Sequence, residues 1–391
     1  MTESQYKEYE EWANSLGYYL GDNLEYKVKN GMGGIYATSD IPRNSIIYKG
    51  DARTIFNQNI TRKTRAGVLY LCDFVRSYSK GSDSTIYPMF STLTPLDELK
   101  RTSVYFMSDS DLELLKSFNT TAWVSVMRYR ERINRMVSDI HSEIGDSYSK
   151  DDTILCVLNF DSRAWSDGGF NPILDLFNHQ NKKAMSRIFT RDEMGFLLGA
   201  RVDYRKGDEV YNSYGISDVY RYAEHYRFFD KNDDTYIDIA NRLDFPLNNN
   251  IDEQHFEEIK KMFNVQVIQN DDGKKYRILD DVLISKYGPS HTFMKLIDIL
   301  SRNTDEKIQN PNLVTRMDIM LLCLNWLSMI RNSIKLNINV DSESEVIKMY
   351  YDISVAEVEI LDNCIQWAMN SDIDSHIPAT HDFAINLENQ K

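Results

Sequence analysis

Cysteine is scarce in this 391-residue chain. Cys72, Cys156, Cys323 and Cys364 stand far apart, with no Cys-x-x-Cys pair and no metal-ligand rhythm shared with the seven histidines. No zinc site is expected, and a reduced intracellular compartment is. A run of about eighteen apolar residues is lacking too, so no membrane-spanning segment or membrane partner is expected. Met1 to Glu11 is acidic and aromatic instead of basic and then apolar, which argues against a secretory signal or transit peptide. Basic charge is in deficit: 45 Lys and Arg stand against 59 Asp and Glu, a net charge of −14. A nucleic-acid partner, which needs a basic stripe to neutralise phosphates, is therefore not expected. No basic cluster of nuclear-import type stands out, so the cytoplasm leads as location and the nucleus stays open. Internal repeats are absent.

What is present is a 42% apolar composition over a length that exceeds the usual single core, so two domains are expected. Tyr6, Tyr9, Trp12 and Leu16 recur at helical spacing before Gly17, which predicts a first helix within residues 1–23. From Leu24 to about Gly50 the pattern turns to short strands, broken at Gly31 to Gly34 and at Pro42-Arg43-Asn44. Residues 51–150 read as mostly helical. Their longest candidate helix is 109–140, capped by Ser108 or Asp109 and carrying Leu112, Leu115 and Phe118. Strands are expected to return from Thr153 to Tyr214, including Met194 to Val202, and apolar periods in 292–301 and 314–336 predict helices after Asp230. Pro289 and Pro311 fall between segments, a domain boundary is placed near Asp230 to Asp234, and the polar tail from about Asn370 is expected to fray.

Two segments carry the chemistry. In Asn171-Pro172-Ile173-Leu174-Asp175-Leu176-Phe177-Asn178-His179 an apolar run delivers an Asn-His pair, read as closing a strand. In Gly207-Asp208-Glu209-Val210-Tyr211-Asn212-Ser213-Tyr214-Gly215 a Gly-Asp turn leads into alternating Val210, Asn212 and Tyr214, read as a strand ending in tyrosine and glycine. Each alone is compatible with an ordinary turn. Together and in this order they resemble the SET-domain methyltransferases. Gly31 to Pro42 is similar to the glycine-rich opening of that domain, where a residue without a side chain lets the backbone approach a ligand. Asn159 to Trp165 is similar to the Ser-Arg-aromatic segment of one branch, the Rubisco large-subunit methyltransferase class, which lacks the cysteine-rich zinc flanks of other branches.

That resemblance implies an α+β fold: a β-rich SET core over 24–230 with a pseudo-knot and a helical insert at about 55–150, then a mainly α-helical substrate-binding domain over 231–391. It implies S-adenosyl-L-methionine as cofactor and a protein carrying a target lysine as partner, outside the histones, for example a ribosomal protein or an elongation factor. An acidic surface suits a lysine-rich target and equally serves solubility. By the same resemblance Asn30, Gly31 and Met32 form the first cofactor turn. Asn178 and His179 address the cofactor, Arg163 stands near cofactor and target, and Asp175 is on the substrate side. Tyr214 is nearest the methyl transfer, Tyr226 lines the channel, and Phe228 makes a cofactor-side contact.

Other readings stand beside these. Asp175 also fits a turn, Arg163 a surface ion pair, Tyr226 a core helix, and His179 a general base. Histidine methylation and a catalytically silent binding module are the competing functions. Tyr226-Arg227-Phe228 departs from the Tyr-Gly-Phe of relatives, and Lys182 to Arg191 lacks a tyrosine some of them carry, offering only Phe189.

Overall fold

Thr2 starts the chain's first helix. Its hydroxyl accepts the Gln5 amide at 3.3 Å while Gln5 Oε1 accepts the Thr2 amide at 2.8 Å, a reciprocal cap that opens α1, Glu3–Ser15. Gly17, at φ 89°, turns the chain out of it, as the sequence predicts. A computed structural model describes residues 1–51, 65–145, 147–164, 170–180, 187–192, 195–214, 217–231, 236–239, 253–263, 265–270, 273–278, 282–286, 288–302, 315–340 and 342–370. These divide into two compact units, one of residues 1–106 and 128–216, the other of 107–127 and 217–391.

In the first unit, β1 (Tyr19–Leu20), β2 (Leu24–Lys29), β3 (Met32–Ala37) and β4 (Ile46–Asp51) come early, and β5 (Arg187–Asp192) and β6 (Gly195–Gly199) come late. β2 and β3 form a hairpin joined by Asn30 and Gly31, both left-handed at φ 53° and 81°, the two-residue turn that Asn-Gly favours. The other sheet runs β1-β4-β6-β5, antiparallel throughout, so the chain leaves after β4 and returns to pair with it.

Between β4 and β5 the chain is helical: α2 (Arg65–Ser79), α3 (Tyr87–Phe90), α4 (Leu96–Thr102), α5 (Asp109–Phe118), α6 (Thr120–Ile144) and α7 (Lys150–Arg163), of which α5 and the start of α6 belong to the second unit. Two expectations are corrected here. The helix predicted over 109–140 is two helices, because Asn119 is extended at φ −147° and ψ 90° and interrupts the ladder. Ser108 does cap the first, accepting the Asp111 amide at 3.1 Å. The strand region expected from Thr153 is instead α7, buried on all sides from Thr153 to Asp161, so that it shows no polar face. Phe74 of α2 and Phe160 of α7 hold Phe170 at ring distances of 5.1 and 5.4 Å. Burying a phenylalanine contributes about 1.5–3 kcal/mol, and this one anchors the start of the Asn171–His179 segment.

In the second unit, α8 (Val219–Arg221) runs into a π-helical turn, Tyr222–Tyr226. A three-stranded sheet (Tyr236–Asp238, Leu283–Ser285, Gly288–Pro289) and a hairpin (Val265–Asn270, Gly273–Ile278) interrupt the helices Glu253–Met262, His291–Ser301, Arg316–Asn332 and Glu345–Asn370. Its core includes Ile237, Phe293, Leu296, Leu327 and Leu361. The apolar periods seen in sequence correspond to His291–Ser301 and Arg316–Asn332. No helix of the described residues is long and apolar enough to cross a membrane. The residues around Asp234, Pro311 and the tail beyond Asn370 lie outside the described residues.

Candidate active site

The Asn171–His179 segment is not a strand. It is a 3-10 turn at Leu174–Leu176 preceded by Ile173 at φ 68° and ψ −44°, a conformation that a β-branched residue rarely adopts. Surrounding bonds hold it there. The buried Tyr9 hydroxyl accepts the Ile173 amide at 2.9 Å, and the Tyr48 hydroxyl donates to the Pro172 carbonyl at 2.9 Å. Strain of this kind persists only where the surroundings fix it, and here it aims the residues that follow.

The second motif supplies the partner. Residues 207–212 run beside β3: Val210 N donates to Ile35 O at 2.8 Å and Ala37 N to Asp208 O at 2.9 Å. On their other side Asn212 N donates to Asn178 O at 2.8 Å, and His179 and Asn212 form a parallel bridge. The expected alternating strand is thus a short extended piece held between β3 and the Asn-His pair.

That register brings three predicted residues together. The Tyr214 amide donates to His179 Nδ1 at 3.0 Å, the Tyr214 hydroxyl donates to the Phe177 carbonyl at 2.9 Å, and the two rings lie 4.9 Å apart. In this contact His179 Nδ1 is the acceptor, its lone pair facing the Tyr214 amide and positioning Tyr214. Asn178 Nδ2 donates to Gly33 O at 2.9 Å and to Glu209 Oε1 at 2.6 Å.

Arg163 and Asp175 also meet, at 3.0 Å, as an ion pair whose side chains are 17% and 3% exposed. Arg163 Nη2 donates to the Thr92 carbonyl at 2.5 Å, and the Tyr9 hydroxyl donates to Asp175 at 3.2 Å. Burial pushes the Asp175 carboxyl above its ordinary value, and Arg163 only partly opposes this. Both groups are therefore engaged with each other beneath the strained turn. Asn30, Gly31 and Met32 lie at the exposed hairpin end, Met32 being 64% exposed. Beside them is a cavity of about 670 Å³ lined by Asn30, Met32, Tyr36, Tyr204, Glu209 and Tyr211.

Tyr226 and Phe228 belong to the second unit. Their rings lie 6.3 Å apart, and Tyr222 lies 5.7 Å from Phe228. Arg227 between them sits at φ 63° and ψ 32°, a left-handed conformation that glycine adopts more readily than arginine. Trp165, Lys182 to Ser186 and Gly215 lie outside the described residues, as does the Phe189 side chain.

Sequence reasoning passed over Glu209, Gly33 and Gly34 as site residues. A Cβ on Gly33 would collide with the Tyr26 ring, and one on Gly34 would lie 2.6 Å from Glu209 Oε1 and 3.0 Å from Asn178 Nδ2. Glycines inside a strand were the available signal, since they mark close approach. Among the described residues no group of three or more His, Cys, Asp or Glu side chains could hold a metal ion.

Residues 33–215 match the SET domain family model. Over 93–94% of its length the chain is similar in fold to solved structures of Rubisco LSMT. The complex bound to sinefungin and monomethyllysine matches at 16% identity and a TM-score of 0.63, covering 93% of this chain and 91% of that one. The complex bound to AdoMet matches at 15% identity and 0.62 over the same shares, and the SET domain of LSMT bound to lysine and AdoHcy at 14% and 0.61 over 94% and 91%. At these identities the likeness is one of fold. No curated protein matches this sequence.

Proposed function

We propose that this protein is an S-adenosylmethionine-dependent protein-lysine N-methyltransferase acting on a non-histone protein in the cytoplasm or nucleus. The observation that carries this reading is Tyr214, fixed at both its amide and its hydroxyl by the His179 ring and the Phe177 carbonyl. With its proton directed at Phe177 O, the phenolic oxygen keeps a lone pair for an approaching amine or methyl hydrogens. The residues fit the cofactor. Both Nδ2 protons of Asn178 are taken up, so it offers Oδ1 to a donor such as the cofactor's amino group.

Bound S-adenosylmethionine supplies a methyl group already activated by its sulfonium sulfur. The protein has to align the nucleophile and receive it uncharged. A lysine ordinarily titrates near 10.4, and burial away from water disfavours its charged form. LSMT is solved with lysine and with monomethyllysine, which favours lysine over histidine here.

The test is transfer of labelled methyl from S-adenosylmethionine into an extract lacking this protein. Wild type is expected to label a discrete protein whose acid hydrolysate contains methyl-lysine, with Tyr214→Phe and Asn178→Ala each lowering the rate at least about tenfold. Methyl-histidine in the hydrolysate would move the assignment to histidine. No labelled band together with no binding of the cofactor by purified protein would leave the binding-module reading.

A further inference from the structure

We infer that Glu209 is the positioning residue that fixes Asn178 for cofactor binding; this rests on the methyltransferase reading. Glu209 sits in the 207–212 segment opposite Tyr36, and its carboxylate gathers three donors. Oε1 accepts Asn178 Nδ2 at 2.6 Å, and Oε2 accepts the hydroxyls of Tyr211 at 3.0 Å and Tyr36 at 3.3 Å. Burial first, and then Glu209 itself, push both tyrosines above their ordinary values, so they remain protonated donors.

The consequence lies in the Asn178 amide. A side-chain amide can turn over and exchange its donor and acceptor ends at little steric cost. Here Nδ2 faces a carbonyl and a carboxylate, neither of which can donate. Turning the amide over would set Oδ1 against two acceptors, so Glu209 and Gly33 O together hold Oδ1 as the end presented to a ligand. The two contributions differ in permanence. Gly33 O belongs to the β2–β3 hairpin backbone, whereas Glu209 is a side chain held by two phenols. Gly34 makes room for the pair, since any side chain there would push the carboxylate away from Asn178. Glu209 also lines the cavity of about 670 Å³ that reaches Asn30 and Met32, which connects the tyrosine pair to the predicted cofactor turn.

Calorimetric titration of the full chain with S-adenosylhomocysteine tests this. Glu209→Ala is expected to weaken binding at least about tenfold, while Glu209→Gln, whose Oε1 still accepts from Asn178 as the phenol protons rotate, stays within about threefold. Because Glu209 acts through Asn178, the double variant Asn178→Ala/Glu209→Ala should bind no more weakly than Asn178→Ala alone. Gly34→Ala keeps the carboxylate but displaces it, and should weaken binding even if Glu209→Ala fails to fold. Additive losses in the double variant, or unchanged binding in folded Glu209→Ala or Gly34→Ala, would overturn the inference. Wild type that does not bind S-adenosylhomocysteine would overturn the methyltransferase reading and this one with it, a result distinct from normal wild-type binding with insensitive variants.

Discussion

Arg163 and Asp175 illustrate how a residue's surroundings change what its charge is worth. The Asp175 carboxyl is buried, and burial raises its titration above the ordinary carboxylate range even with a guanidinium at 3.0 Å. A raised pKa means the folded state holds this proton more tightly than the unfolded chain, so the group's contribution is fully present below the unfolded value and falls as pH rises through the folded one. Arg163 limits that loss. Arg163→Ala is therefore expected to cost about 3–5 kcal/mol near neutral pH, where it leaves a buried charge uncompensated, and less as acid protonates Asp175. Denaturant unfolding of wild type and variant between about pH 8 and about pH 5 checks this, and a cost independent of pH would contradict it.

At the scale of elements, Asn119 decides where one helix becomes two. Fully buried, it ends α5, caps α6 by accepting the Ala122 amide at 2.9 Å, and donates through Nδ2 to Ser354 at 2.8 Å and Glu357 at 2.9 Å. The Tyr220 hydroxyl joins the same group, donating to Glu357 at 2.8 Å. Asn119→Ala removes a cap and leaves buried polar partners unsatisfied, an expected loss of about 2–4 kcal/mol, read as a lower urea midpoint with unchanged slope. Ser354→Ala should cost under about 1.5 kcal/mol, since the asparagine keeps its other acceptor. Helix α7 shows the opposite difficulty. From Thr153 to Asp161 it is buried on every side, and a helix without a polar face has no 3.6-residue period to read.

For the whole molecule, the net charge of −14 bears on how a basic target is met. Long-range attraction raises encounter rates and is screened within about 10 Å at 0.1 M salt. With a lysine-rich protein substrate, kcat/KM should fall several-fold between about 0.05 M and about 0.3 M salt while kcat changes by less than about twofold. An unchanged kcat/KM would show that the acidic surface serves solubility alone.

What the sequence by itself determined has local causes: the Thr2-led first helix ended at Gly17, the break at Gly31, the Ser108 cap, and the order of motifs that contains Asn178, His179 and Tyr214. Spacing within a few residues sets such features, through caps, turn preferences and periodicity. The tertiary structure alone decided which side chains meet. Tyr9 holds Ile173 from 164 residues away, Arg163 is directed to Asp175, Glu209 to Asn178, and Gly34 makes room for that last contact. Those pairings depend on two extended segments lying side by side, and the cost of an unpaired buried donor or acceptor selects the partner only once the chain has brought them together.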